Sequence, residues 1–252
     1  MLIDRIKNGL KTIWWKPELV EDAIFDDMDI PFCPTVTSSI PSKIITYEEA
    51  KIIFRQKVKK NPNFKSDYYV CFYIDDYKFD TYRGIWYSPQ RAFNVLKHFK
   101  GIITPDFSTY IDFPFPLKLW NTYRMRAFGY WCSKQGLEVI NNVRGSVCDF
   151  SYCFRGIPMN STIAIGTVGS GLKLLENREQ FYKWLEEMIK VLKPTTILIY
   201  GSANYPCFEK LKNLGIKIIQ FESKTSQDFS RRKTQWVNLK VECLMAPQDQ
   251  IL

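Results

Sequence analysis

The feature that most constrains the fold is a regular alternation of short apolar runs with amphipathic helical patterns, seen most clearly over residues 101–145. There, an apolar run is followed by a polar loop, a long amphipathic pattern and a second apolar run. Strands that alternate with helices and are apolar along their whole length predict a parallel sheet that is buried on both faces. Polar side chains gather where both runs end, at Thr104, Asp106, Ser108, Asn141, Asn142 and Arg144.

The same arrangement recurs along the chain, with strand candidates near residues 70, 102, 138, 163, 197 and 217. We therefore predict an α/β fold: a mostly parallel six-strand sheet or an incomplete TIM-like barrel, flanked by helices and preceded by an N-terminal arm. The arm covers residues 1–45 and the α/β domain covers 46–223. A basic and less regular tail, packed on the domain or trailing it, covers 224–252.

Local signals place the helices. Residues 46–49 read Thr-Tyr-Glu-Glu, a capping box that predicts a helix from there to about Lys60. Ser88 and Pro89 form an N-cap followed by a first-turn proline. Apolar residues at helical spacing predict long helices over 117–135 and 177–192, and a short one over 2–15 in the arm.

The composition argues against several function classes. The sequence lacks the run of about eighteen apolar residues that a membrane-spanning helix needs, and it lacks the apolar segment of a secretory signal. Its seven cysteines are scattered and its single histidine, His98, lies in a helical pattern, which disfavours a Cys/His metal site. We expect a reduced, cytoplasmic protein.

A formal charge of +9 favours polyanionic partners such as nucleic acid. Lysines cluster where the first helix of the domain is predicted to end, and a second basic cluster lies in the tail. The alternative is a lysine-rich surface that only keeps the protein soluble. The candidate nucleic-acid contacts are Lys57, Lys59, Lys60, Arg231, Arg232 and Lys233.

Ligands of parallel α/β proteins bind at the carboxyl ends of the strands, so the polar residues there are the candidate site. Asp106, with Asp75, Asp76 or Glu222, forms a set of candidate catalytic carboxylates. Such carboxylates can hold a divalent cation through oxygen ligands or act as an acid and a base. The sequence leaves the cofactor and the identity of any metal open.

A glycine-rich turn, GTVGSG at residues 166–171, lies between a strand and a helix, where free backbone amides can bind a phosphate. It differs from a Walker A loop because no Gly-Lys-Ser/Thr follows. The candidate ligand-binding residues at the strand ends are Ser108, Asn141, Arg144, Thr167, Gly169 and Ser170, and Arg155 is a further source of positive charge for the same anion.

Four segments resemble a family of domains of unknown function found in phages, other mobile elements and mainly Gram-positive bacteria. They are TPDFSTYIDFP, WNTYRMRAFGYW, GLEVINNV and FRGIPMNSTIAIGTVG, and the resemblance covers about residues 29–223. It implies one domain, a phage or plasmid context and a bacterial host cell. The chain departs from the family pattern at Asn142 and Arg144, where a proline and a tryptophan are expected.

Three hypotheses follow. The first is a mobile-element protein that binds a phosphate-bearing ligand, nucleic acid or nucleotide, at the strand ends and in one version hydrolyses it with Asp106, a second carboxylate and a divalent ion. The second is a non-catalytic inhibitor or accessory factor that contacts a host or phage protein in defence or replication. The third is a glycoside-type hydrolase that uses two strand-end carboxylates.

Overall fold

A computed structural model describes residues 14–37, 39–145, 149–172, 174–230 and 232. Within these residues, seven strands form one sheet in which each strand lies beside its sequence neighbours, and every adjacent pair is parallel. The sheet curls into an open half-barrel, which confirms the predicted parallel α/β fold with one strand more than expected. The strands are β1 (Ile44–Thr46), β2 (Ser66–Cys71), β3 (Phe99–Ile103), β4 (Glu138–Asn142), β5 (Thr162–Gly166), β6 (Thr196–Tyr200) and β7 (Lys217–Phe221).

Helices connect all successive strands except β4 and β5, between which the described residues form turns, and they pack on the outer face of the sheet. They are α1 (Tyr47–Ile53), α2 (Pro89–Leu96), α3 (Phe115–Lys134), α4 (Leu175–Leu192) and α5 (Pro206–Asn213), and residues 224–230 are also helical. Alternate side chains of each strand point to opposite faces. In β2, Val70 packs in the core beneath the helices, whereas Tyr69 and Cys71 belong to the concave inner core. Both faces of the sheet are therefore buried, as predicted.

The start of the domain differs from the prediction in two respects. The capping box is present, with Glu49 N donating to Thr46 Oγ1 at 3.2 Å and Thr46 N donating to Glu49 Oε2 at 2.9 Å. However, α1 ends at Ile53 and a π-helical turn covers Phe54–Val58, so the helix is shorter than the expected span to Lys60. Strand β1, which directly precedes the box, was not predicted because it has only three residues.

The described part of the arm is integrated into the fold. Strands β4 and β5 pair only at Asn141↔Ile163 and Asn142↔Ala164, near the carboxyl end of β4. On the amino-terminal side of this pairing, Val36 of the arm forms an antiparallel bridge with Val139. Residues 33–37 therefore fill a split between β4 and β5, and we call this segment the arm insert.

Buried residues anchor the rest of the arm, including Leu19, Ile30 and Cys33. The helix predicted over residues 2–15 lies outside the described residues except for Trp14 and Trp15, which are not helical. Of the helices in the described part of the chain, none is both long and apolar enough to cross a membrane.

Helix α3 approaches the end of β3 closely because Gly129 faces it. A Cβ at this position would lie 2.5 Å from Thr104 Cγ2 and 2.7 Å from Cys33 Sγ. Alanine normally favours a helix over glycine by about 1 kcal/mol, but overpacking a filled site costs roughly 1–3 kcal/mol. The steric cost is therefore the larger effect.

We expect Gly129→Ala to lower the free energy of unfolding by about 1–2 kcal/mol, measured by urea denaturation, because both neighbours are buried. The double variant with Cys33→Ala is the control, since it removes one of the two clashing groups. Unchanged or increased stability in Gly129→Ala would contradict the close packing of α3 on β3.

Candidate functional site

A cavity of about 260 Å³ opens at the carboxyl ends of the strands, and we call it the strand-end cavity. Its wall combines polar groups with an apolar and aromatic surface. The polar side chains are Asp106, Thr109, Asn142, Arg144, Ser170, Asn177 and Gln180. The apolar and aromatic ones are Tyr73, Ile111, Val143, Ile165, Val168, Phe181 and Trp184.

A chain of hydrogen bonds crosses the cavity wall. The Tyr73 hydroxyl donates to Asn142 Oδ1 at 3.0 Å, and Asn142 Nδ2 donates to Asp106 Oδ1 at 2.8 Å. The other carboxylate oxygen of Asp106 accepts from Arg144 Nη1 at 2.5 Å. These partners fix the orientation of the Asn142 amide, because one side must accept and the other must donate. Asp106 is thereby held between an amide and a guanidinium.

The backbone at the end of β4 brings these side chains together. Asn142 N donates to Thr104 Oγ1 at 2.8 Å, and Arg126 Nη1 donates to Asn142 O at 3.1 Å. Gly166 of β5 leaves room for the Tyr73 ring, since a Cβ there would lie 2.6 Å from Tyr73 Cδ1. Tyr73 in turn stacks on Tyr200, with ring centroids 5.3 Å apart. The aromatic part of the wall therefore depends on one small residue.

The charges at the site influence each other. The carboxylate of Asp106 raises the pKa of Arg144, so the guanidinium stays protonated. Burial raises the pKa of Asp76, and the negative charge of Asp106 adds to this effect, although Ser108 N donates to Asp76 Oδ2 at 3.1 Å. Two carboxylates and one arginine thus share this region, and burial makes ionisation of Asp76 less favourable than that of an aspartate in water.

The cysteines in the described part of the chain are poor candidates for nucleophiles. Burial raises the pKa of Cys33 and that of Cys153 to about 12. A thiol with this pKa is almost fully protonated at neutral pH and therefore unreactive.

The structure places some of the predicted site residues in the strand-end cavity. Asp106, Arg144, Gly169 and Ser170 line it. Ser108 is buried beside it, and its carbonyl accepts from Asn121 Nδ2. These residues come together as the parallel strand ends predicted.

The remaining predicted residues lie elsewhere. Asn141 Nδ2 donates to Cys33 O at 2.9 Å and so binds the arm insert. Thr167 Oγ1 donates to Ser202 O at 3.0 Å across to the end of β6. Asp75 is exposed and pairs with Lys78 at 3.6 Å, whereas its neighbour Asp76 faces the loop after β3. Glu222 is exposed after β7 and does not line the cavity.

The predicted basic surface lies away from the cavity. Lys57, Lys59 and Lys60 are exposed at the end of the segment that follows α1. Because α1 begins at the carboxyl end of β1 and the chain must return to the start of β2, these lysines lie toward the amino edge of the sheet. Arg232 is exposed, and Arg231 and Lys233 lie outside the described residues. Arg155 pairs with Asp26 and Asp27 of the arm.

Sequence reasoning missed several residues of the cavity wall. Phe181 and Trp184 lie on α4 at core spacing, and they fill the core while also lining the cavity. Tyr73 lies two residues beyond β2, and the strand-end rule extended to aromatic residues would have selected it. Nothing in the sequence singles out Thr109 or Gln180.

In the part of the chain that the structure describes, no group of three or more His, Cys, Asp or Glu residues is arranged to hold a metal ion. Thr109 Oγ1 lies in the cavity wall, is buried and has no hydrogen-bond partner among the described residues. The wall therefore offers hydrogen-bonding groups and one cationic group to a ligand.

Comparisons with known proteins give a family and two named relatives. The family model described as Domain of unknown function (DUF4417) matches residues 27–222. The chain is 37% identical over 135 residues to the Gene 1 protein of Mycobacterium phage L5, which covers 53% of this chain and 57% of the relative. It is 34% identical over 135 residues to the Gene 1 protein of Mycobacterium phage D29, covering 53% and 48%. The chain thus spans about half the length of these relatives. No solved structure matches it.

The raised pKa of Asp76 leads to a pH-dependent prediction. A carboxyl with a raised pKa in the folded protein destabilises the fold when it is ionised, and this cost disappears as the pH falls through that pKa. We expect Asp76→Asn, which keeps an acceptor for Ser108 N, to be more stable than the wild type at neutral pH. The difference should vanish below the ordinary Asp pKa of 3.8, where both states are protonated.

Urea unfolding over a pH series measures this difference. Asp75→Asn is the matched control, because it removes the same charge from the exposed neighbouring residue. If Asp76→Asn is less stable than the wild type at neutral pH, attraction to Arg144 outweighs burial and the interpretation is wrong.

Proposed function

This chain belongs to the DUF4417 family of domains of unknown function, and we infer from its cavity that it binds a phosphate-bearing ligand, a nucleotide or a nucleotide unit of nucleic acid, at the carboxyl ends of its strands. The observation that carries this proposal is the position of Arg144. Its side chain is 31% exposed in the cavity wall, and only Nη1 is engaged by Asp106. Nε and Nη2 make no hydrogen bond within the described ranges, so they are available to an anion.

The turn opposite Arg144 supplies a second group of donors. The amides of Val168 and Gly169 have no acceptor among the residues described, and both residues line the cavity. Helix α4 begins shortly after this turn, at Leu175, and helix N-termini favour negative charge. A phosphate between the turn and Arg144 would engage these groups.

The rest of the wall suits a base. Phe181 and Tyr73 provide aromatic surface, and the Gln180 amide can both donate to and accept from the edge of a base. The cavity volume of about 260 Å³ is below the range of about 300–1,000 Å³ that is typical for drug-sized ligands. It therefore suits one nucleotide unit rather than a dinucleotide cofactor.

The comparisons support a phage setting, since both named relatives are phage proteins. We place the protein inside the bacterial host cell, where nucleotides and nucleic acids are abundant anions. Its formal charge of +9 favours such partners. The binding proposal contains no chemical step, and hydrolysis by Asp106 would require turnover to be demonstrated separately.

Two substitutions change the anion site in opposite directions. We expect Arg144→Gln to weaken binding of adenosine and guanosine monophosphate by about 10–100-fold, because a charge-assisted hydrogen bond contributes roughly 1.5–3 kcal/mol. We expect Asp106→Asn to strengthen binding severalfold, since it keeps an acceptor for Asn142 Nδ2 and releases Arg144 from a competing carboxylate. Isothermal titration calorimetry at low salt measures both effects.

Lys190→Gln is the matched control, because Lys190 is 77% exposed near the far end of α4 and its removal changes the net charge equally. The proposal fails if the wild-type protein binds neither nucleotide nor inorganic phosphate, or if Arg144→Gln and Lys190→Gln behave alike. A nucleotide that is consumed by the wild type but not by Asp106→Asn would identify Asp106 as catalytic.

A further inference from the structure

The exposed tyrosines of this protein are confined to one edge of the sheet. The chain has fourteen tyrosines, and all of them lie in the described residues. Only Tyr77, Tyr82 and Tyr110 count among the exposed large hydrophobic residues, with 70%, 78% and 55% of their surface accessible. They lie on the loops that follow β2 and β3, where the strand-end cavity also opens. We call these three residues the tyrosine rim.

The rim is continuous with the cavity. The residues on either side of Tyr110, Thr109 and Ile111, both line the cavity wall. Tyr77 directly follows Asp76, whose carboxylate accepts from the backbone N–H of Ser108 at 3.1 Å. A ligand that leaves the cavity on this side therefore meets aromatic rings.

A buried arginine fixes the two loops relative to each other. Arg124 of α3 donates from Nη1 to Asp80 Oδ1 in the first loop at 2.8 Å, and from Nη2 to Asn121 Oδ1 at 2.7 Å. Asn121 Nδ2 in turn donates to the carbonyl of Ser108 in the second loop. Loops held in this way lose little conformational entropy when a ligand binds.

Two of the three rings are also supported from one side by another aromatic ring. Tyr82 stacks on Tyr87 with ring centroids 6.5 Å apart, and Tyr110 packs edge-on against Phe113 at 5.2 Å. Each ring keeps more than half of its surface open to solvent. A fixed, open aromatic face is what a stacking nucleobase requires.

The charges near the rim permit an anionic partner. Of the carboxylates in these loops, Asp75 is paired to Lys78, Asp80 to Arg124 and Asp106 to Arg144, whereas Asp76 and Asp112 have no ion pair among the described residues. Arg83 lies next to Tyr82, is exposed and has no ion pair among the residues that the structure describes. The rim therefore offers a phosphate backbone one unpaired cation, Arg83, and the aromatic rings provide the larger part of the surface on which bases can stack.

We propose that the ligand is a single strand of nucleic acid that crosses the tyrosine rim, with its bases stacked on Tyr77, Tyr82 and Tyr110 and one nucleotide unit in the strand-end cavity. This inference rests on the proposed function and narrows its ligand class. Duplex nucleic acid fits less well, because paired bases have no free face for the rings. A free nucleotide would make no use of the rim.

The test compares lengths and strandedness of ligand on the full chain. Fluorescence anisotropy with labelled twelve-nucleotide single strands of DNA and RNA gives their affinities, and calorimetry gives that of the mononucleotides. We expect the better of the single strands to bind at least tenfold more tightly than a mononucleotide and more tightly than a duplex of the same sequence. We expect each single alanine variant, Tyr77→Ala, Tyr82→Ala or Tyr110→Ala, to lower the affinity for the single strand roughly tenfold. The affinity for the mononucleotide should not change.

Two kinds of control separate stacking from other effects. Tyrosine-to-phenylalanine changes at the same positions keep the ring and should retain affinity within about twofold. Ile52→Ala and Leu214→Ala remove exposed apolar side chains elsewhere, of 49% and 72% accessibility, and should have no effect.

The outcomes distinguish the two proposals. The proposal that a strand crosses the tyrosine rim is overturned if the wild type binds a mononucleotide but binds the single strand no more tightly. It is also overturned if the wild type and the alanine variants bind the strand with equal affinity. Both results leave the cavity proposal intact. A duplex that binds more tightly than the single strand also overturns the proposal that a strand crosses the tyrosine rim. A wild-type protein that binds neither a mononucleotide nor inorganic phosphate overturns the proposed function itself.

Discussion

The two halves of the sheet meet at two residues, Asn141 and Asn142, whose side-chain amides are buried. Strands β1–β4 and β5–β7 meet only where Asn141 and Asn142 pair with Ile163 and Ala164. Both asparagines are almost fully buried, and both side chains are hydrogen-bonded, one to the arm insert and one to the cavity residues. A buried amide that loses its hydrogen-bond partners lowers the free energy of unfolding by about 1–3 kcal/mol. The contact between β4 and β5 therefore depends on the groups that bond to these two amides. The site and the integrity of the sheet therefore share the same residues.

Two arginines of α3 support this arrangement in different ways. Arg124 is paired with Asp80 and so has a carboxylate partner. Arg126 is completely buried, and within the described residues it donates hydrogen bonds to the carbonyls of Arg155, Asn142 and Cys153. Burial lowers its pKa to about 10, which still leaves it charged at neutral pH. Three charge-assisted hydrogen bonds thus offset the desolvation of a cation, and they fix the segment before β5 against the end of β4.

Much of the framework could be predicted from the sequence, because it follows from local patterns. Apolar runs gave the strands from β2 onward, helical spacing indicated the long helices, and the capping box marked the start of α1. The position of Asp106 and Arg144 at one site followed from the shared direction of the strands. These inferences use only the periodicity of neighbouring residues and the geometry of a parallel sheet.

What could not be predicted depends on long-range contacts or on the local direction of a side chain. Asp75 and Asp76 are adjacent and chemically identical, but the 3₁₀ turn Asp76–Lys78 leaves the first in solvent and turns the second toward Ser108. Asn141 was predicted as a ligand-binding residue because it ends a strand, yet its amide contacts Cys33 of the arm. Nothing near residue 141 in the sequence indicates that an extended segment from the arm inserts beside it.

The arm insert also constrains the order in which the chain can fold. Val36 pairs with Val139, and Thr35 Oγ1 donates to Thr162 O at 3.4 Å, so this segment contacts strands that are synthesised much later. Contacts between distant segments carry a loop-closure entropy and limit the rate of folding. On the ribosome, the apolar residues Leu19 and Ile30 must therefore wait for the middle of the chain before they can be buried. Until β5 has emerged, the nascent protein exposes an early hydrophobic segment to which a chaperone can bind.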